Sequence, residues 1–141
     1  MKSILFLALI VSVGAFAVPT TLNIVELSET AAAPAENSGD NVNGNRVANV
    51  NGDVFFLLRN SHVSDSATVT VTAQATSIKV PGFGAATKSN ATVALSAGQE
   101  KHVGPFRAKA WNDTSGYVQL AFSGAASSSV KVTPLRMPKS F

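Results

Sequence analysis

Along most of the chain, apolar and polar positions alternate with a period of two, the signature of strands with one buried face. Thr20–Leu27 (TTLNIVEL) alternates, with Leu22, Ile24 and Val25 as inward candidates. Asp53–Asn60 (DVFFLLRN) is a near-continuous run of β-formers, which predicts a central strand covered on both faces. Ala67–Ala75 (ATVTVTAQA) places Val69 and Val71 on one face and Thr68, Thr70 and Thr72 on the other. Thr76–Gly84 predicts a short strand stopped by Pro81-Gly82. Asn90–Phe106 predicts a hairpin turning at Ser96–Gln99. Gly116–Gly124 alternates through Val118, Leu120 and Phe122, and Ser127–Arg136 predicts a last strand in which Pro134 suits an edge. The polar stretch Thr30–Gly52 predicts a long loop with at most one short strand. Seven or eight short strands, with turn signals roughly every eight to twelve residues and no helical period, predict a single all-β sandwich or jelly roll.

Boundaries follow from the same pattern. Residues 1–17 form an apolar leader or arm, 18–52 an N-terminal strand and polar loop, 53–136 the sandwich core, and 137–141 a C-terminal tail. The leader (MKSILFLALIVSVGAFA) has Lys2 in front of an apolar run and Ala15-Phe16-Ala17 as a small-x-small cleavage pattern, with Pro19 shortly after it. Three readings of it stay open: an export signal cut after Ala17, a retained N-terminal arm or anchor, and a start placed too early. The run is short for a membrane span.

Composition narrows the chemistry. Charged residues make up only 13% of the sequence, against about a quarter in ordinary domains. With 45% apolar residues, that composition argues against disorder and for a surface of hydroxyls and amides that a partner can cover. The net charge of +3 is scattered and forms no basic stripe, so no nucleic-acid partner is expected. The sequence has no Cys, which excludes disulfides, thiolate metal sites and thiol nucleophiles.

No constellation carries catalysis. Asn41–Asn45 (NVNGN) and Asn49–Asp53 (NVNGD) form a small repeat, but neither places acids at calcium-loop positions, so both read as Asn-Gly turns. His62 and His102 are the only histidines and lie in different elements. There is no Gly-x-Ser-x-Gly elbow, and the eight acids fall mostly in polar stretches. The expectation is a protein that is not an enzyme, with no cofactor and no metal. Asn90-Ala91-Thr92 and Asn112-Asp113-Thr114 match the glycosylation pattern, which matters only in a eukaryotic secretory pathway.

The segment Gly104-Pro105-Phe106, followed by an arm carrying the only Trp, is more informative. Pro105 fixes φ and removes a ladder donor, so a strand must stop there. Phe106 and Trp111 then read either as caps on one end of the core or as a stiff corner contacting a neighbouring subunit.

From Val18 to Arg136 the sequence resembles the small head-decoration (capsid cement) proteins of tailed bacteriophages. The resemblance rests on the order of VPTTLNIVEL, ETAAAPA, NGDVFFLLRNS, ATVTVTAQAT, VALSAGQEKHVGPF and AWNDTSGYVQLAFSGAASSSVKVTPLR. It implies a virion structural protein on the outer capsid surface that stabilises the head, with the major capsid protein as partner and a homotrimer as its assembly. It implies no membrane partner unless the leader acts as one. The expected capsid or subunit contacts are Pro19, Thr20, Leu22, Ile24, Phe106 and Trp111. The alternative, favoured by a genuine cleavage after Ala17, is a secreted or periplasmic β-sandwich binding or adhesion module of a bacterial envelope.

Overall fold

Short alternating runs of Val, Thr and Ala, broken by Gly and Asn, build twelve strands and one helical turn in the computed structural model, which describes residues 18–27, 34–75, 77–82 and 84–138. The apolar leader, the Ala-rich segment at 28–33 and the last three residues lie outside the described residues. In sequence order the strands are β1 (Thr20–Leu22), β2 (Val25–Glu26), β3 (Asn37–Ser38), β4 (Asn45–Ala48), β5 (Val54–Asn60), β6 (Ala67–Val71), β7 (Ser77–Val80), β8 (Gly84–Thr87), β9 (Ala91–Leu95) and β10 (Glu100–Val103). The turn α1 (Ala108–Trp111), β11 (Tyr117–Ser123), a 3₁₀ turn (Ser127–Ser129) and β12 (Val130–Arg136) complete the fold. It is all-β, as the alternation predicts.

Two mixed five-stranded sheets face each other. The first runs β1-β4-β11-β6-β9; the second runs β10-β5-β12-β2, with β3 also pairing β12. A separate hairpin, β7-β8, pairs Ser77 with Thr87 and Val80 with Gly84. Alternate residues meet between the sheets: Val47, Val54, Phe56, Leu58, Val69, Val71, Leu95, Val118, Val130 and Val132 are all fully buried. Burying each of them contributes about 1.5–3 kcal/mol of transfer free energy. Phe106, Ala110 and Trp111 close one end of this core.

Several expectations are corrected. Asn90–Phe106 is not a hairpin: β9 pairs β6 in one sheet and β10 pairs β5 in the other. The Ser96–Gln99 turn exists, with Gln99 N–H donating to Ser96 O at 3.0 Å, but it takes the backbone across the flank of the sandwich. The run Thr20–Leu27 makes the same crossing on the opposite flank. β1 lies parallel to β4, and β2 lies parallel to β12 in the other sheet. The polar stretch Thr30–Gly52 contains two strands, and β4 is an interior one, between β1 and β11.

β12 is likewise not an edge: β5 pairs it along its whole length on one side, and β3 and β2 pair it on the other. Pro134 still sits where its missing N–H does no harm. On the other side β3 pairs Lys131 and Val132, β2 pairs Leu135 and Arg136, and nothing among the described residues pairs Thr133 or Pro134. β5 is central as expected, but its faces differ. Val54, Phe56, Leu58 and Asn60 are buried, whereas Phe55, Leu57 and Arg59 are half-buried.

Candidate interaction surface

The six residues expected to make contacts fall at two ends of the sandwich. Thr20 pairs in register with Asn45, at the start of β4, while the Trp111 arm packs beyond the end of β4, next to Asn49.

The Trp111 end is built inward. Gly104 has φ +128°, and a Cβ there would lie 2.7 Å from Phe55 Cβ, so only glycine lets the backbone turn this close to β5. The Gly104–Pro105 peptide is cis. The turn delivers Phe106, whose N–H donates to Val54 O at 2.9 Å and whose ring lies 5.3 Å from Phe56. Trp111 meets Phe106 edge-on at 4.9 Å and carries the Lys88 ammonium 4.5 Å above its own ring. Asn49 fastens this corner: its amide donates to Phe106 O at 2.7 Å and to Asn112 Oδ1 at 2.8 Å, and its oxygen accepts from Val54 N–H at 3.2 Å. Phe106 is only 3% exposed and Trp111 7%, so both serve the core and offer little area to a partner. Leu22, 6% exposed, belongs to the same core because the pleat of β1 turns it inward, and Ile24 packs half-buried against it.

The Thr20 end presents surface. Val18 is 65% exposed and Val42 is 81% exposed. Pro19, Val42 and the turn through Gly44 line a groove of about 210 Å³ against Gln119, Ala121 and Phe122. The turn is tightly braced. Asp40 accepts from the backbone N–H groups of Val42 (3.0 Å) and Asn43 (2.9 Å) and from the Thr20 hydroxyl (2.7 Å). The Asn43 N–H, followed by the Thr20 hydroxyl, holds the Asp40 carboxyl down at about 2. Those bonds use the lone pairs a cation would need, so the Asn-Gly repeat here is a turn. Asn45 adjoins the groove, but its side chain shares the inner face with Val47 and accepts from Asp40 N–H at 3.0 Å.

Two features are not legible in the sequence. On the outer face of the second sheet, Phe55 and Leu57 are half-buried opposite Leu135 and Thr133, both nearly inaccessible. Glu36 reaches over this face to Arg59, whose Nε–H donates to it at 2.8 Å, and that bond lowers the Glu36 pKa. Arg136 Nε–H donates to Glu26 at 3.0 Å. The near-continuous apolar run of β5 signals a two-sided strand, but not what lies over its second side. At the other sheet, burial pushes the Asp113 carboxyl up, and N–H donors from Tyr117, Gln119 and Ser115 outweigh it, leaving the pKa lowered.

Chemistry is sparse around these surfaces. His62 Nδ1 accepts from the N–H groups of Ser64 and Asp65 and shapes its own loop. His102 lies on β10 opposite Leu57. Among the described residues no three His, Asp or Glu side chains gather as a metal site, and no helix is long and apolar enough to cross a membrane. No protein-family model, curated protein or solved structure matches the sequence.

Proposed function

We propose that this protein is a non-enzymatic structural protein that binds the outer surface of a phage capsid and stabilises the head. The observation that carries the reading is the ordered resemblance of Val18–Arg136 to capsid cement proteins, including the Gly104-Pro105-Phe106 corner. The architecture supports it physically. Such a task needs complementary area in place of a reactive group, and many copies on a lattice sum modest contacts. A surface poor in charge pairs with a partner at a small desolvation penalty. The contact surface in this reading is the Thr20 end, where Val18 and Val42 stand exposed and Pro19 and Val42 line one groove, with the major capsid protein as partner and a homotrimer as the bound form.

A second reading, an exported binding or adhesion module, is favoured by the leader alone. One experiment separates them: intact mass and N-terminal sequencing of the protein from its native source, with virions fractionated from secreted material. Co-purification with virions is the expected result. A mature form starting at Val18 and found only in a secreted or periplasmic fraction would sink the capsid reading.

A further inference from the structure

The repeated Asn-Gly steps, Asn43-Gly44 and Asn51-Gly52, are turns of different chemical durability. We propose that Asn51 is a site of spontaneous deamidation in the folded protein and that Asn43 is protected from it.

The reaction needs no partner but water. The backbone nitrogen of Gly52 attacks the amide carbon (Cγ) of the Asn51 side chain, and its proton passes to solvent. A new bond forms between that nitrogen and Cγ, the Cγ–Nδ2 bond breaks, and ammonia leaves with a proton from water. Water then opens the cyclic imide at one carbonyl or the other. The product at position 51 is an aspartate or an isoaspartate, the latter with its backbone running through the former side chain. Nothing is oxidised or reduced. Glycine on the following side favours attack because no Cβ shields its nitrogen.

The two turns restrain this geometry unequally. At Asn43, the backbone N–H and the side-chain amide both donate to Asp40, at 2.9 and 3.3 Å, and the Gly44 N–H is held on Asp40 O at 2.9 Å. Side chain and nucleophile are therefore both tethered. Asn51 is exposed, and its side chain makes no hydrogen bond among the described residues. The Gly52 N–H donates to Asn49 O at a longer 3.2 Å. A carboxylate neighbours each step, Asp40 at one and Asp53 at the other, so the tether is what distinguishes them.

The isoaspartate form would be felt locally. It adds a methylene to the backbone just before Gly52, where even a Cβ would lie 2.7 Å from Ala108 N. It also does so two residues after Asn49, whose amide fastens Val54 and Phe106. The aspartate form, with its ordinary backbone, disturbs neither.

The test is peptide mapping by mass spectrometry, with fragmentation that separates aspartate from isoaspartate, on the full-length protein aged at mildly alkaline pH in native buffer and in concentrated urea. In native buffer, conversion at Asn51 is expected to run at least several-fold faster than at Asn43, and Asn51→Gln should abolish the fast product. In urea the two rates should converge. Equal rates in native buffer, or a faster Asn43, would overturn the proposal. A preference for Asn51 that persists unchanged in urea would also overturn it, since flanking sequence and not the fold would then set the rates.

Discussion

Asn49 and Asn112 hold each other reciprocally: the Asn49 amide donates to Asn112 Oδ1 at 2.8 Å, and the Asn112 amide donates back to the Asn49 backbone carbonyl at 2.8 Å. The pair joins the turn after β4 to the residue that ends α1. Asn49 also satisfies Val54 N–H and Phe106 O inside the corner.

Asn49→Ala would strand a buried donor and a buried acceptor at once, each costing about 1–3 kcal/mol. The prediction is a loss of about 2–6 kcal/mol for Asn49→Ala and a smaller loss for Asn112→Ala, whose site is partly wet. Urea unfolding followed by Trp111 fluorescence measures both. Equal losses would show that the Val54 and Phe106 bonds contribute nothing of their own.

Gly104→Ala should be more damaging than alanine at an open turn. The backbone at φ +128° disfavours any side chain, and the new Cβ would meet Phe55 Cβ at 2.7 Å and Phe55 Cα at 2.8 Å. At Gly98, φ is +68° and nothing lies within 4 Å of the added atom. The expectation is about 1 kcal/mol for Gly98→Ala and distinctly more for Gly104→Ala, read as shifts in the urea midpoint. Similar shifts would mean that β5 yields to the intruding methyl.

The pH dependence of the Thr20 end has a definite sign. Asp40 has a folded pKa lowered from 3.8 to about 2, so its stabilising contribution is complete above the unfolded value and fades as pH falls from about 4 towards 2. The stability difference between wild type and Asp40→Asn should therefore be constant at neutral pH and shrink across that acid window. A carboxyl carbon titration by NMR should place the Asp40 midpoint near 2. A midpoint at the ordinary 3.8 would show that the Val42, Asn43 and Thr20 donors do not hold the carboxylate in solution.

If the exposed valines at the Thr20 end contact the capsid, Val42→Asp should weaken co-sedimentation with undecorated capsids by about tenfold or more while leaving the fold intact, the effect of placing a charge in a desolvated contact. Val50→Asp is the matched control: Val50 is 83% exposed, but it lies beyond β4 at the Trp111 end. Circular dichroism checks folding in both variants. Equal binding by the two would remove the Thr20 end from the interface.

Legibility in the sequence divides along a physical line. β6 and β11 are readable because each alternates apolar residues on an inward face at period two, and β5 because its run of β-formers is near-continuous. β4 escapes because Asn45 takes one of its two inward places, leaving Val47 as its only apolar inward residue. The crossing from β9 to β10 reads as a hairpin because a turn signal records a change of direction, not the sheet in which the next strand finds its partner. The same blindness merges β1 with β2. Among the expected contacts, Phe106 and Trp111 stand out in the sequence as a stiff apolar corner. Their burial depends on Asn49 and Gly104, residues whose importance lies in the partners they reach.

The parallel placement of β1 on β4 and of β2 on β12 has a mechanical consequence. All four strands run the same way, so the backbone enters at Val18 at one end of the sandwich and leaves at Met137 at the other. A pull between those points acts along the strands, loading the ladder bonds of both pairs together in shear instead of peeling them one by one. A tether at either end would therefore draw on the resistance of whole strands, and the short β1 and β2, weak as isolated elements, would fail only as a set.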